Sequence, residues 1–263
     1  MFFPLMQTPQ LQGFLDLLNA PPNNWEKPVK RTAHIYLLWP RDNRWESRKI
    51  TSLEPGESKR LLSADFIEEL GARNVAFIYP TSNSLPRYLD QLPSKRFWYT
   101  EFPAWRCTSG FQNNFTQVSY QSDLEPLPTI ASLMTFHPFI QYTEIRNFLV
   151  VLNLVKDPTV TQGPIHFFSS SDYKYRGTET IQTNSVSVID LDKYNFASDE
   201  LPVFISPKVA GIPFGLGIKN DNKMLSLEHT HPPASLVLFG DRRTVQGKIK
   251  KEWMGRLIQN VPN

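Results

Sequence analysis

The chain has 263 residues, of which 40% are hydrophobic and 20% charged, so it is long enough to bury a core in one large domain or two small ones. This composition excludes a disordered, collagenous or coiled-coil protein, and the net charge of +3 permits an acidic partner without requiring one. The single cysteine, Cys107, excludes an internal disulfide and a zinc site made only of cysteines.

The first predicted element is a short amphipathic helix near the N-terminus. Thr8 is suited to the N-cap and Pro9 to the first helical position, and the apolar residues that follow have helical spacing: Leu11, Phe14, Leu15 and Leu18. We expect this segment, residues 1–24, to cap an open end of the fold and protect its edge strands. No apolar run approaches the ~18 residues that span a bilayer. The start also lacks a basic region and a cleavage site, so we expect a cytoplasmic protein.

After residue 24, short apolar runs separated by turn residues predict β-strands. The first series contains His34–Trp39, Val75–Tyr79 and Phe97–Glu101, with a Pro-Gly turn at Leu53–Glu57. The second series begins at Phe148–Val155 and continues through residues 165–168, 185–190, 203–205 and 236–239. Strands of this length and spacing are typical of a β-sandwich.

An internal repeat divides these strands into two sets. A shift of 127 residues aligns Ser58–Val118 with Ser185–Val245 and gives nine identical pairs in 61 positions, where about three or four are expected by composition. The opening strands pair at a shift near 114, which requires an insertion of roughly a dozen residues in the second copy, around 163–183. We therefore predict an all-β fold of two tandem β-sandwich-like units, residues 25–130 and 131–263.

The main candidate metal site is the strand end Glu228-His229-Thr230-His231. On a strand, His229 and His231 point to the same face and suit one divalent metal ion. Glu228 then faces the other side, while His137 or His166 is available as a third ligand. The glutamate that follows His-x-His in a cupin-like site is missing between residues 232 and 239. The alternative is a packed, hydrogen-bonded strand end, and the repeat aligns Glu228 with Glu101 as a position required by the fold.

A second candidate site is the aromatic stretch from Phe97 to Arg106. Exposed indole rings stack on sugar rings or bases, and nearby charged groups hold polar substituents, which makes this a candidate ligand site: Trp98, Glu101, Trp105 and Arg106. The alternative is a sandwich core with one edge, because alternate residues of a strand face inward.

A third candidate is a basic stretch near the C-terminus. It offers an anion or partner patch formed by Arg242, Arg243, Lys248, Lys250 and Lys251. The alternative is a solvated terminal element. Apolar residues recur every four positions at Ile249, Trp253 and Leu257, which predicts an amphipathic helix at the far end.

Other motifs favour no common enzyme class. Asp190-Leu-Asp192 resembles the Asp-x-Asp of nucleotide-sugar transferases, but Asp192 aligns with Asp65 in the repeat, so we interpret it as a turn. Cys107 has no local base to activate it. The sequence has no glycine-rich phosphate loop, no G-x-S-x-G and no H-E-x-x-H.

The segment Met224–Thr230, followed by Arg242-Arg243-Thr-Val245, resembles the end of the sensory-rhodopsin transducer family, where a last apolar strand runs into a His-Thr pair and a polar loop. The resemblance covers under a tenth of the chain. It implies a small self-assembling β-sandwich with roles in signalling and small-ligand binding, here as two such units fused. Trp98 and Trp105 are not explained by it.

We therefore expect a non-catalytic cytoplasmic binding or assembly module, with a protein partner, a homo-oligomer or a small polar or carbohydrate ligand. The modest net charge argues against nucleic acid. The alternative is a metal-dependent or carbohydrate-active protein that uses His229 and His231, with Glu228 as a base or as a partner that orients a ligand. A third alternative is an acidic-polymer binder acting through residues 242–251.

Overall fold

The computed structural model of the protein describes residues 1–20, 31–95, 97, 107–121, 123–129, 131–137, 144–197, 200–229 and 242–262. Contacts divide the chain into two compact units. Unit 1 comprises Met1–Pro126 with Leu154–Thr159, and unit 2 comprises Leu127–Asn153 with Val160–Asn263.

Unit 1 is built from nine described strands and a short helix. The strands are β1 (Phe3–Met6), β2 (Gln12–Leu18), β3 (Ala33–Arg41), β4 (Arg44–Leu53), β5 (Ser58–Leu62), β6 (Val75–Thr81), β7 (Tyr88–Leu89), β8 (Cys107–Gln112) and β9 (Gln117–Gln121). Helix α1 (Ile67–Leu70) lies between two 3-10 turns that connect β5 to β6. Two antiparallel sheets result, with the strand orders β1-β6-β3-β4-β7 and β5-β2-β8-β9.

Unit 2 has eight described strands and one long helix. The elements are β10 (Leu133–Phe136), β11 (Ile145–Leu152), β12 (Gln162–Phe168), β13 (Tyr175–Gln182), β14 (Val186–Asp190), β15 (Val203–Ser206), β16 (Ile212–Lys219), β17 (Leu225–His229) and α2 (Arg242–Ile258). The sheets are again antiparallel, in the orders β10-β15-β12-β13 and β14-β11-β16-β17.

The prediction of two tandem β-sandwiches is wrong. The strands form four small antiparallel sheets of four or five strands, which are the sheet number and size of a four-bladed β-propeller. The all-β class is correct. Short, alternately buried strands occur in both architectures, and only the pairing partners distinguish them. The partners here are distant in sequence: β2, for example, pairs with β5 on one side and with β8 on the other.

The two units have the same strand order in both sheets once β7, which has no counterpart among the described strands of unit 2, is set aside. The equivalences differ from the 127-residue shift. Ile78 pairs with the core residue Leu37, and Phe204 pairs with the core residue Phe167, so Phe204 corresponds to Ile78 and not to Phe77. A one-residue difference of this kind reverses which face a side chain occupies.

Two further details of the repeat are wrong. Strand β3, which contains His34–Trp39, corresponds to β12 and not to β11. Hairpins β3–β4 and β12–β13 run over 33–53 and 162–182, so the second copy has no insertion there. The additional residues lie in unit 1, between β6 and β8, where unit 2 has only a short connection from β15 to β16.

The predicted N-terminal helix is also wrong, because the segment forms β1 and β2. Thr8 Oγ1 accepts a hydrogen bond from the backbone N–H of Leu11 at 3.0 Å, as an N-cap would, but the chain then enters a strand. Phe14, Leu15 and Leu17 are all buried, so both faces of β2 are covered. A short run that is apolar on both faces fits a buried strand as well as a helix.

Most predicted strands are confirmed, and so is the C-terminal helix. The runs within β3, β6, β11, β12, β14 and β15 form strands as expected, whereas residues 236–239 and 98–101 lie outside the described residues. Helix α2 packs on one face of the sheet containing β15 through Trp253, Met254 and Leu257. No helix in the part of the chain that the structure describes is long and apolar enough to span a bilayer.

Candidate functional site

A cleft in unit 1 lies along the edge of β4 and has a volume of about 500 Å³. Strands β3 and β4 form its floor, residues 85–87 form one wall, and α1 supplies acidic residues to the other. Two hydrogen bonds hold the first wall in place. The N–H of Ser47 donates to the carbonyl of Arg87 at 2.7 Å, and Ser47 Oγ donates to the carbonyl of Pro86 at 2.6 Å.

Trp39 lines this cleft and has a hydrogen-bond donor without a partner among the described residues. Its side chain is 7% exposed, and its indole N–H is buried without a partner among the described residues. Burying an N–H without a partner costs ~1–3 kcal/mol, so such groups are rare and point to a ligand or an ordered water molecule. Trp45 provides a contrast, because its indole N–H donates to the carbonyl of Lys156 at 2.9 Å.

The charges that line the cleft fall into paired and unpaired groups. Arg41 Nη1 lies 3.4 Å from the carboxylate of buried Glu46, and Arg48 forms an ion pair with Glu69. Lys49 is exposed and has no described ion-pair partner. Arg87 is also exposed, and its guanidinium stacks on the ring of Tyr88 at 5.1 Å. Two cations therefore remain available to bind an anion, opposed by one exposed carboxylate, Glu68.

A second unusual site lies in unit 2, at the end of β10. His137 is 1% exposed, and neither ring nitrogen has a hydrogen-bond partner among the described residues. Burial lowers the pKa of His137 to about 4, so the imidazole is neutral at pH 7. The ring lies against Gly215: a Cβ atom at that position would come within 2.2 Å of Nε2. Gly215 is therefore needed to accommodate the imidazole.

The equivalent surface of unit 1 has larger residues, which are less polar at every position except Ser109. Gly215 pairs with Leu149 on one side and with Glu228 on the other. Ser109 pairs in the same way with Leu15 and Tyr120, so Gly215 corresponds to Ser109. By the same register Gly217 replaces Phe111, and Ser226 replaces Val118. His137 directly follows Phe136, the residue of β10 that pairs with Val203. Its position corresponds to that of the core residue Leu5 on β1. Unit 2 therefore has a polar edge, formed by His137, Ser226 and Glu228, where unit 1 has packed side chains.

Part of the predicted metal site lies at this polar edge. Glu228 is directly opposite Gly215, on the face against which His137 packs, and it is exposed. It corresponds to Tyr120 of unit 1, so its predicted equivalence to Glu101 is wrong. His229 occupies the next register position, opposite Phe214, and His231 lies outside the described residues.

His166 is not brought to this edge. It lies on β12 opposite Ile205, whose side chain packs against α2, and its Nδ1 is 2.7 Å from Thr178 Oγ1. Within the residues that the structure describes, no group of three or more His, Cys, Asp or Glu side chains could hold a metal ion.

The other predicted site residues have mixed outcomes. The aromatic candidates Trp98, Glu101, Trp105 and Arg106 lie outside the described residues. Of the basic patch, Arg242 and Arg243 begin α2, and Lys248 and Lys251 are exposed on it. Lys250 is not available to an anion, because its ammonium donates to the carbonyl of Ser132 and burial lowers its pKa.

The interpretation of Asp190 as a turn residue is confirmed. Its carboxylate accepts the N–H of Asp192 at the start of a 3-10 turn and pairs with Arg146 at 2.6 Å. Cys107 is buried in the core of unit 1, and burial raises the pKa of its thiol, so it is poorly suited to be a nucleophile.

Sequence reasoning missed the cleft. Its residues are contributed by β3 and β4, which were recognised only in part, and by residues 85–87, whose position depends on the edge of β4. One usable signal was Arg41-Asp-Asn-Arg44: Asp42 and Asn43 both have positive φ, as expected for a two-residue hairpin turn. That turn predicts the β3–β4 hairpin, but it does not predict the wall.

Comparison with protein-family models, with curated proteins and with solved structures gives no match.

Proposed function

We propose that the protein is a non-catalytic cytoplasmic module for binding and assembly, and that the cleft of unit 1 is its ligand site. The observation that carries the proposal is the buried, unpartnered indole N–H of Trp39 beside a cleft of about 500 Å³. Clefts of this volume suit small ligands.

The charges of the cleft favour a small polar ligand with a negative group. Glu46 and Glu69 already neutralise two of the arginines, whereas Lys49 and Arg87 retain free charge at the rim. A carboxylate or phosphate between these two cations replaces their hydration with charge-assisted hydrogen bonds. Tyr36 adds an apolar surface, since its hydroxyl is engaged by the backbone N–H of Leu85 at 3.2 Å.

The test is a calorimetric titration with four probes: inorganic phosphate, citrate, glucose 6-phosphate and glucose. We expect one or more of the anionic probes to bind and glucose to bind less tightly. The double variant Lys49→Gln/Arg87→Gln should lose at least about tenfold in affinity, which corresponds to ~1.4 kcal/mol. Lys59→Gln, an exposed lysine on β5, is the matched control and should bind as the wild type does. Equal binding by the double variant and the control would refute the assignment of the cleft.

A second candidate function uses the polar edge of unit 2. The alternative of a metal-dependent or carbohydrate-active protein is favoured by one observation, the placement of Glu228 opposite Gly215, against which His137 packs. Elemental analysis of purified protein, with the variant His229→Ala/His231→Ala beside it, tests this alternative. Stoichiometric metal that is lost in the variant supports a metal-dependent protein, and no metal in either protein refutes the metal-dependent form of this alternative. The resemblance to the sensory-rhodopsin transducer family stays a prediction.

A further inference from the structure

The longest edge strand of the described sheets is β13, with eight residues. The other strands that end a sheet have two to five residues: β1, β5, β7, β9, β10, β14 and β17. An edge strand presents a row of unpaired backbone N–H and C=O groups that another strand is able to pair with. Length therefore distinguishes β13 from the other edges of both units.

Unit 1 shows what this edge accepts. Its equivalent strand, β4, is extended by β7, which pairs antiparallel with Trp45 and Glu46. In the part of unit 2 that the structure describes, no strand pairs with the open side of β13. The same side of the sheet thus carries a short added strand at the hairpin end of β4 in unit 1, and no added strand among the described residues of unit 2.

The hydrogen-bond pattern shows which residues of β13 point outward. The N–H of Thr183 donates to the carbonyl of Thr161 at 2.9 Å, so residue 183 faces β12. Because successive residues of a strand alternate, the N–H and C=O groups of Thr178, Thr180 and Gln182 face away from β12. Pro164 lies opposite Thr180 and has no N–H to donate to β13. This agrees with the backbone groups of Thr180 facing away from β12.

The side chains along this edge do not block another strand. Residues 175–182 contain no proline and no lysine, which are the usual devices that protect an edge. Thr178 and Thr180 are exposed and have the branched side chains that favour strands. The register shift between Phe167 and Phe168 lies opposite the end of β13 that contains Arg176. Residues 177–182 therefore form a regular strand.

We infer that β13 is an assembly edge and that its occupant is the β13 strand of a second copy of this chain, paired antiparallel about a two-fold axis at Thr180. In this register Thr180 faces its own copy and Thr178 faces Gln182, so the three outward-facing residues form about six backbone hydrogen bonds. Glu179 faces Ile181. Centring the axis one residue earlier would place Glu179 against its own copy, and like charges directly opposite one another are destabilising.

The charge of the edge also fits a second copy. Residues 175–182 carry one cation, Arg176, and one anion, Glu179, so the strand has no net charge that calls for an acidic or basic partner. This inference rests on the assembly part of the proposed function. It is independent of the cleft, because β13 contributes no residue to the cleft of unit 1.

Sedimentation velocity over about 1 to 300 µM full-length protein tests the inference. We expect a concentration-dependent dimer for the wild type and for Thr180→Val, which keeps the branched side chain and adds no charge. Thr180→Lys and Thr180→Glu should each be monomeric at the same concentrations, because each places two like charges opposite one another at the axis. A 1:1 mixture of these two variants should restore the dimer as a Lys–Glu pair.

Ser119→Lys is the matched control, since Ser119 is exposed on the five-residue edge strand β9, and it should dimerise like the wild type. Circular dichroism verifies that every variant is folded. A monomeric wild type, a Thr180→Lys variant that dimerises normally, or a mixture that stays monomeric would overturn the inference. None of these outcomes bears on ligand binding by the cleft, which calorimetry measures separately.

Discussion

Replacement of His137 by leucine tests whether unit 2 holds a polar group at a cost in stability. Leucine is the residue that unit 1 has at the corresponding position, Leu5, which is fully buried. The two side chains are similar in volume, so the substitution leaves no large cavity. It removes an imidazole whose two ring nitrogens are buried without a described partner, and leaving a buried polar group unsatisfied costs ~1–3 kcal/mol. We expect His137→Leu to raise the free energy of unfolding by about 1–3 kcal/mol at pH 7.

The pH dependence gives the same substitution a second signature. The pKa of His137 is lowered to about 4 in the folded protein, against about 6.5 in the unfolded chain. Between these values the unfolded chain binds more protons, so the free energy of unfolding falls as the pH falls from 6.5 towards 4. The full effect is about 3 kcal/mol, and about 2 kcal/mol of it is lost between pH 7 and pH 5. The stability gained by His137→Leu should therefore be larger at pH 5 by about 2 kcal/mol.

Urea unfolding of wild type and variant at pH 7 and pH 5 measures both quantities. Subtracting the two proteins at each pH cancels the contributions of the carboxylates, which also titrate in this range. If His137→Leu is less stable than the wild type at pH 7, and the difference does not change at pH 5, the imidazole has partners in the native state. Such a result would refute the assignment of an unpartnered imidazole to the polar edge of unit 2.

Three further substitutions and one control variant test the fold. Gly13→Ala should lower the free energy of unfolding by about 3 kcal/mol, because its Cβ would come within 1.4 Å of the carbonyl oxygen of Met6. In the helix expected from the sequence, the same substitution would raise the free energy of unfolding. Gly255→Ala should stabilise by about 0.5–1 kcal/mol, because nothing lies within 4 Å of the added atom on helix α2. Leu257→Ala should cost about 2–4 kcal/mol by undocking α2, while Lys248→Ala stays within about 0.5 kcal/mol of the wild type. Denaturant unfolding measures all four variants, and a reversed sign for either glycine substitution contradicts the assigned element.

Strand positions were predictable from the sequence wherever an apolar run was closed by proline or a turn. Val75–Tyr79 lies within β6 and Ile165–Phe168 within β12, so local chemistry locates both strands, although β6 continues through Pro80 and β12 begins before Pro164. Sheet membership was not predictable in the same way. The partners of β2 lie more than forty residues away, and no local pattern specifies which strands pair. Two sandwiches and four small sheets are therefore indistinguishable before pairing is known.

The repeat shows how a real similarity can be aligned one residue out of register. The identical pairs Phe77/Phe204 and Ile78/Ile205 follow the sequence, yet strand pairing makes Phe204 equivalent to Ile78. Apolar residues on both faces of a buried strand match equally well in either register, so identity alone does not detect the slip. The relation between His137 and Leu5 lies outside the aligned stretch Ser58–Val118 and becomes visible only when both strands are paired.

The cleft was hidden for a different reason. Trp39 ends a run that predicts a strand correctly, but an indole N–H without a partner becomes apparent only when every neighbour is placed. Lys49 and Arg87 are far apart in the chain and line the same cleft because residues 85–87 bind the edge of β4. Sites assembled at a sheet edge have no short motif, whereas the metal and aromatic candidates were proposed because their residues are contiguous.

The most direct test of the central claim is an NMR titration that follows the indole N–H signals of Trp39 and Trp45 while an anionic probe that binds in calorimetry is added. We expect the Trp39 signal to shift as the probe is added, with the same dissociation constant that calorimetry gives. The chemical shift of the Trp45 indole N–H should not change, because this group already donates to the carbonyl of Lys156. Assignment by Trp39→Phe identifies the shifting signal. A probe that binds while the Trp39 signal remains unchanged would contradict the claim that the cleft of unit 1 is the ligand site.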